Sequence, residues 1–206
     1  MSRSIFHPES GLMLTMGQIT DCIFLSMFWL LGCIPVVTVG ASFAALYDAS
    51  FRAYRKGEKH SWRRFWDVYR GNFIPGLVPS VVVLAVSLTG SWGLIRLWNA
   101  SVAGELSWMV FSGAAFVAVV VLGILSLVFP MLSRFENTTG TLLKNAVFLG
   151  MANLPRTLAL GILNGVVCLA CLVYVIPVFL LPSLAALLGS FLIEPMFKPF
   201  MSEEEM

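Results

Sequence analysis

The sequence predicts an all-α fold, a polytopic membrane helix bundle formed as a single integral membrane domain over 1–206. Hydrophobic residues make up 58% of the chain and charged residues only 12%, whereas soluble domains carry about 45–50% apolar and about 25% charged residues. The charges also cluster, leaving long charge-free intervals between them. These observations exclude a soluble globular enzyme. The net charge of +2 is not a nucleic-acid signature, so we expect a lipid bilayer and no nucleic acid as partner.

Four charge-free intervals define the candidate spans, and they are 22–47, 71–95, 106–133 and 157–193. About 20 apolar residues cross a hydrocarbon core of about 30 Å. The second and third intervals therefore fit one span each. The fourth is long enough for two, and Pro177 and Pro182 favour a loop near its middle. The predicted spans in this part of the chain are 73–97, 106–132, 157–176 and 181–199.

The first interval contains a break at Pro35, Thr38 and Gly40. A proline followed by β-branched residues and a glycine continues a helix poorly, and an amphipathic pattern replaces the apolar run after the break. One interpretation is a pair of helices, 11–34 and 41–56, joined by a turn, which gives six transmembrane helices and makes Thr38 face the outer side or an outer cavity. The other is a single kinked span, which gives five, since proline kinks are tolerated in membrane helices.

The basic residues predict the orientation, because loops rich in Lys and Arg stay in the cytoplasm. Seven of the 13 Lys and Arg residues lie between positions 52 and 70. We therefore expect 52–70, 134–156 and the C-terminus on the cytoplasmic side of the membrane, with 96–105 and 177–182 outside. The N-terminus is inside with six spans and outside with five.

Two short amphipathic segments, 61–72 and 141–153, are predicted to lie along the membrane rather than across it. In the first, aromatic and basic residues occupy opposite faces, which is typical of an interfacial helix. One interpretation is an anchor with its rings in lipid and its arginines on lipid phosphates; the other is a docking surface for a cytoplasmic protein. Both use the same residues, namely Trp62, Arg63, Arg64, Trp66, Tyr69 and Arg70.

Asp21 and Asp48 are a candidate intramembrane ion-pair site together with Arg52. If the chain turns at Pro35, two antiparallel helices carry both carboxylates to about the same depth. Arg52 lies one helical turn from Asp48 and can pair with either. Ionisable groups inside membrane segments indicate function, but an ordinary charge pair near the inner interface explains the same pattern.

The end of the fourth predicted span forms an inner-loop motif of Pro130, Arg134, Phe135, Glu136 and Asn145. Arg134 is expected to neutralise Glu136 or Asp67, or to hold a lipid phosphate. A plain positive-inside anchor accounts for it equally.

Enzymatic motifs are missing from the sequence. Cys168 and Cys171 have C-x-x-C spacing, but no second pair and no nearby histidine completes a zinc set. No phosphate loop, zinc-binding H-E-x-x-H helix or G-x-S-x-G nucleophile turn occurs. We therefore expect no catalytic residue, no metal and no cofactor.

Several segments together resemble the YesL-like family of bacterial integral membrane proteins of unknown function. The most specific is Ile34-Pro35-Val36-Val37-Thr38-Val39-Gly40 after an apolar helix; others are Asn72-Phe73, Phe129-Pro130 with Arg134-Phe135-Glu136, and Leu143-Lys144-Asn145-Ala146. Members are often encoded beside carbohydrate uptake and two-component sensing genes. The resemblance implies an accessory protein that assists carbohydrate uptake or its sensing, with a sugar transporter or sensor as partner.

Two functional hypotheses follow from the sequence. The first is a non-enzymatic accessory membrane protein that binds its partner through 52–73 and 134–156. The alternative is a small transporter or channel for a small solute. For transport we expect polar residues clustered at mid-membrane beside broken helices, and the sequence offers no charged pair near the centre of its spans.

Overall fold

The described part of the chain is a bundle of eight α-helices without a strand. The computed structural model describes residues 11–56, 61–135, 138–174 and 176–197. The helices are α1 (Gly11–Gly32), α2 (Val39–Phe51), α3 (Ser61–Gly71), α4 (Phe73–Val102), α5 (Trp108–Arg134), α6 (Thr139–Ala152), α7 (Leu154–Val173) and α8 (Leu181–Phe197). A π-helical turn, Arg52–Lys56, continues α2, and 3-10 turns occupy Val36–Thr38 and Ile176–Phe179. The all-α class is confirmed for these residues.

Several helices extend beyond their predicted ends. α4 continues five residues past 97, to Val102, and α5 ends at Arg134 instead of 132. α7 starts at Leu154 because Pro155 occupies its first turn, where the missing N–H of proline removes no helical hydrogen bond.

Three helices, α4, α5 and α7, are long and apolar enough to cross a membrane, with 30, 27 and 20 residues. Their outer surfaces carry large apolar side chains that the bundle leaves uncovered. Leu88 is 69% exposed, Met109 82% and Leu172 78%. Such surface is costly in water and favourable in hydrocarbon, so these helices identify a membrane protein. The shorter helices do not establish six spans.

The close contact between α5 and α7 depends on glycine. A Cβ on Gly123 would collide with the backbone of Thr157, and one on Gly161 with the backbone of Val119. Membrane helices associate closely where small residues let their backbones approach. Across the same interface the Asn164 side-chain amide donates a hydrogen bond of 3.0 Å to Ser126 Oγ.

The chain reverses direction between α1 and α2. Gly32 near the end of α1 faces Ser42 near the start of α2. Leu25 packs in one cluster with Ala45 and Ala49. Further along, the hydroxyl of Tyr54 donates to the sulfur of Cys22 at 2.9 Å. The paired positions run in opposite directions, so α1 and α2 form an antiparallel hairpin, and the single kinked span is wrong.

The turn of this hairpin is not where the six-span interpretation places it. The amide of Gly40 donates to Ser80 Oγ at 2.8 Å, and a Cβ on Gly40 would collide with the ring of Phe129. Ser80 is the eighth residue of α4, and Phe129 is in the second turn from the end of α5. The turn therefore packs at the α3 end of the α4–α5 pair, far from the 103–107 loop. Thr38, predicted to face the outer side, is buried beside it.

α2 lies at the centre of the structure, where its small residues allow close packing. Eleven of its 13 residues are buried, among them Gly40, Ala41, Ser42, Ala44 and Ala45. Along its length it contacts α4 through Gly40, α5 through Phe43 on Phe129, and α8 through Ser50 on Ser183. The sequence predicted an amphipathic helix with one polar face. That prediction is wrong, because protein packs against nearly all of α2.

Candidate functional site

The ends of α2, α3, α5 and α8 meet around a buried group of charged side chains, which we call the ion cluster. It comprises Asp48, Arg52, Arg64, Arg134 and Glu194, with the hydroxyl of Tyr47. Each helix brings its charged residue in at a terminal turn, next to an apolar stretch that anchors the helix in the bundle.

Asp48 is the centre of the ion cluster, and its side chain is fully buried. Arg52, one turn later in the chain, places its Nε at 3.1 Å from Asp48 Oδ2. Arg64 of α3 reaches the same oxygen at 2.6 Å. Arg134 of α5 holds its Nε at 3.8 Å from Asp48 Oδ1. One carboxylate from the central helix thus joins cations from three segments of the fold: the turn after α2, α3 and α5.

Glu194 is the second carboxylate of the ion cluster. Its Oε1 accepts hydrogen bonds from Arg134 Nη2 and from the hydroxyl of Tyr47, both at 2.9 Å. Arg134 is itself 92% buried, since its side chain is 8% exposed. This arginine therefore links α2 to α8 by contacting both carboxylates.

Aromatic rings of α2 and α8 contact two guanidinium groups, those of Arg134 in the ion cluster and of Arg55 beside it. The Arg134 guanidinium carbon lies 4.3 Å from the centroid of the Phe51 ring. Arg55 lies over the ring of Phe191 at 4.7 Å and donates to the carbonyl of Ser190 at 3.3 Å. Cation–π contacts of this kind gain strength where water is excluded.

The physical consequence of this arrangement is coupling between helices. A carboxylate without water is stable in charged form only with paired cations and hydrogen bonds. Asp48 has both, and its partners come from α3 and α5 as well as from its own helix. Arg134 Nε has no hydrogen-bond partner among the described residues, so its approach to Asp48 at 3.8 Å is an ion pair without a hydrogen bond.

α3 is attached to the bundle by protein contacts. One interpretation of the sequence placed its aromatic face in lipid, but most of that face packs against protein. Phe65 is fully buried, and Tyr69 is 9% exposed. The ring of Trp66 meets that of Phe28 in α1 at a centroid distance of 6.0 Å. Arg64, expected on a lipid phosphate, pairs with Asp48. The reason is that α2 ends beside α3 and offers both an apolar surface and a carboxylate.

The opposite face of α3 stays exposed, and we call it the outer α3 face. It consists of Trp62, Arg63, Asp67 and Arg70. Trp62 is 47% exposed, with the Arg63 guanidinium 5.2 Å from its ring. Of the residues predicted to form one interfacial surface, Trp62, Arg63 and Arg70 share this face. Arg64, Trp66 and Tyr69 do not.

The structure separates the other predicted residues. Asp48 pairs with Arg52, whereas Asp21 is half-buried on α1 and has no described ion pair with either. Pro130 is buried inside α5, and Phe135 packs on Phe197 with a centroid distance of 5.5 Å.

Asn145 is exposed on α6, away from the ion cluster. Glu136, a predicted partner of Arg134, lies outside the described residues. Asp67, the other predicted partner, is on the outer α3 face.

Sequence reasoning missed Tyr47 and Glu194 as members of this cluster. The sequence does contain an indication for Glu194, which is the first charged residue after 37 uncharged ones. A lone acidic residue at the end of an apolar helix needs a partner. Nothing in the sequence identifies Arg134 as that partner, because 60 positions separate the two.

Residues 22–90 match the family model described as protein of unknown function, DUF624. The match covers 69 of the 206 residues, about a third of the chain. YesL-like proteins are members of DUF624, so the resemblance seen in the sequence is confirmed. No curated protein and no solved structure is significantly similar to the chain.

The DUF624 segment contains only part of the ion cluster. It runs from Cys22 in α1 to Gly90 in α4 and includes Tyr47, Asp48 and Arg64. Arg134 and Glu194 lie beyond it and complete the cluster from α5 and α8. Within the described residues, no group of three His, Cys, Asp or Glu side chains is placed to hold a metal ion.

Proposed function

We propose that this protein is a non-enzymatic accessory protein of the bacterial plasma membrane that binds a membrane protein partner through the outer α3 face. The observation that carries the proposal is the division of α3 into two faces. Its inner face is fixed by Phe65, Tyr69 and the Arg64–Asp48 pair. Its outer face leaves a tryptophan and two arginines uncovered, the residue types most enriched where proteins bind each other.

The basic residues support a cytoplasmic position for this face. Arg63 and Arg70 belong to the most basic segment of the chain, and such segments stay inside. On this orientation the C-terminus and α6 are also cytoplasmic. The suggestion that the partner is a sugar transporter or sensor comes from the YesL-like resemblance alone.

The ion cluster supports an accessory role because it connects the outer α3 face to the bundle. Force or displacement on α3 acts on Arg64, and through Asp48 and Arg134 on α5 and α8. Ion-pair networks with two arrangements can carry coupling between distant surfaces. A partner bound to α3 is thereby in mechanical contact with the membrane-embedded helices.

Charge reversal tests the docking surface. The double variant R63E/R70E should reduce co-purification of a membrane partner from native membranes by about tenfold or more, since like charges across an interface cost several kcal/mol and about 1.4 kcal/mol is already tenfold. R96E is the control, because Arg96 is exposed on α4 and lies outside both segments predicted to bind the partner. Equal recovery of partner with both proteins would contradict the proposal.

The alternative, a small transporter or channel, is favoured by one observation. Buried carboxylates in membrane proteins often line ion or proton pathways, and Asp48 and Glu194 are both buried. Purified protein in a planar bilayer should then show conductance that Asp48→Asn abolishes. A bilayer that stays silent with correctly folded protein would exclude a channel.

A further inference from the structure

We infer that the α1–α2 hairpin enters and leaves the membrane on the α3 side, with its turn held in the acyl chains of that leaflet. This inference concerns residues 33–40, which we call the hairpin tip. It does not depend on the partner proposed for the outer α3 face.

The depth of the hairpin tip can be estimated from its contacts with two spanning helices, α4 and α5. With the centre of α4 (Phe73–Val102) at the bilayer midplane, Ser80 lies about 11 Å from the midplane at 1.5 Å per residue. With the centre of α5 (Trp108–Arg134) there, Phe129 lies about 12 Å away on the same side. Gly40 packs against both side chains. The hydrocarbon half-thickness is about 15 Å, so the tip lies inside one leaflet.

Several polar groups of the hairpin tip are paired within the protein. The hydroxyl of Thr38 lies 2.8 Å from both the Gly32 and the Pro35 carbonyl oxygens. The amide of Thr38 donates to the Pro35 carbonyl at 2.9 Å. The amide of Gly40 donates to Ser80 Oγ. Irregular backbone at membrane depth is tolerated only when protein groups pair it in this way.

The outer surface of the hairpin tip is apolar. Ile34 is 73% exposed, Val36 63% and Val37 49%. The same apolar surface continues along α1 through Met27 and Leu31. A turn on the water side of a membrane would present polar side chains here, and 33–40 has no charged residue. The occupant that matches this surface is lipid acyl chain.

The other end of the hairpin fixes which leaflet is meant. α2 leads through Arg52–Lys56 towards α3, whose Arg63, Asp67 and Arg70 are exposed. Charged side chains of this number require water or headgroups. The hairpin therefore starts and ends at the interface that carries α3, and its tip does not reach the opposite side.

Spin labels at single cysteines test this topology in proteoliposomes, with the four native cysteines replaced by serine. A label at V36C should be protected from a membrane-impermeant maleimide on both sides. Its depth by power saturation should fall between L88C, at mid-span of α4, and R63C, on the outer α3 face. A second label site, I34C, is equally exposed and repeats the measurement if V36C folds poorly.

A distance measurement decides between the two positions of the turn. Ala103, at the far end of α4, is 23 residues from Ser80, or about 35 Å along the helix. Labels at V36C and A103C should therefore lie about 35 Å apart. A separation below about 20 Å, or reaction of V36C from the A103C side, would overturn the inference in favour of a membrane-crossing hairpin. Full water accessibility from the R63C side would overturn it in favour of a peripheral one.

Discussion

Asp48 illustrates how a single buried carboxylate organises several helices. Its own helix supplies Arg52, while Arg64 and Arg134 approach from α3 and α5. A buried ion pair contributes little net stability compared with apolar residues of the same shape, but removal of one partner leaves the others uncompensated. Loss of Asp48 therefore destabilises the fold mainly because its arginine partners are left without a compensating charge.

Asp48→Asn should lower the free energy of unfolding by about 3 kcal/mol, at the lower end of the range for breaking a buried pair because Arg52 and Arg64 are partly exposed. Unfolding in mixed micelles with increasing SDS measures it. Asp67→Asn on the outer α3 face is the matched control and should change stability by less than about 0.5 kcal/mol. Equal effects of the two variants would show that the ion cluster has no structural role.

Tyr47→Phe removes one hydroxyl and keeps the stacking of this ring on Phe51. Because the hydroxyl donates to the Glu194 carboxylate, its loss should cost about 1.5–3 kcal/mol, the range for a hydrogen bond to a charged group. The same SDS titration applies. Tyr174, 66% exposed after α7, provides the comparison, and Tyr174→Phe should be neutral.

At the level of elements, two helix contacts depend on the absence of side chains. Gly123 and Gly161 bring α5 and α7 together, and Gly40 brings α2 against α4. Helix propensity alone disfavours glycine at interior helical positions. Packing has overridden it at these sites, since any Cβ would meet backbone or a ring that cannot move aside.

Gly123→Ala should destabilise the bundle by about 1–3 kcal/mol, the usual cost of an overpacked contact. Gly113 lies on the same helix with open space around it. Gly113→Ala should instead be neutral or stabilise by up to about 1 kcal/mol, because alanine favours the helix. The thermal unfolding midpoints in detergent measure both. A greater loss from Gly113→Ala would contradict the close α5–α7 contact.

The whole molecule is divided into an apolar part and a charged end. Large exposed apolar residues lie along α1 and α4, on the first half of α5, on α6 and on the second half of α7, whereas the ion cluster and the exposed charges of α3 lie at the α3 end of the α4–α5 pair. This separation is what a membrane protein requires if one end contacts headgroups and water.

This division predicts opposite sidedness for two exposed positions. In intact cells, a membrane-impermeant maleimide should label A103C and leave R70C unlabelled, because basic segments remain inside. Permeabilised cells should label both, which controls for reactivity. The reverse pattern would show that the protein has the opposite orientation. Labelling of both positions in intact cells would show that Arg70 is not on the cytoplasmic side. Ser61 is unsuitable as a label site because it is buried.

The sequence determined the membrane class and most helix positions, because both follow from local composition. Charge-free runs predicted α4, α5 and α7 within a few residues, and Pro35 with Gly40 predicted the reversal between α1 and α2. These properties depend on the hydrophobic effect and on backbone chemistry at single positions. The same pattern predicted the pairing of Asp48 with Arg52, since one helical turn separates them.

Only the tertiary structure decided where the hairpin tip lies and which residues form the ion cluster. The pattern of α2 predicted an amphipathic helix, because the sequence does not show that protein packs against its polar face as well as its apolar face. Arg134 and Glu194 meet because α5 and α8 both end beside α2. Contacts between residues 60 or 147 positions apart depend on how whole helices pack, and no local pattern carries that information.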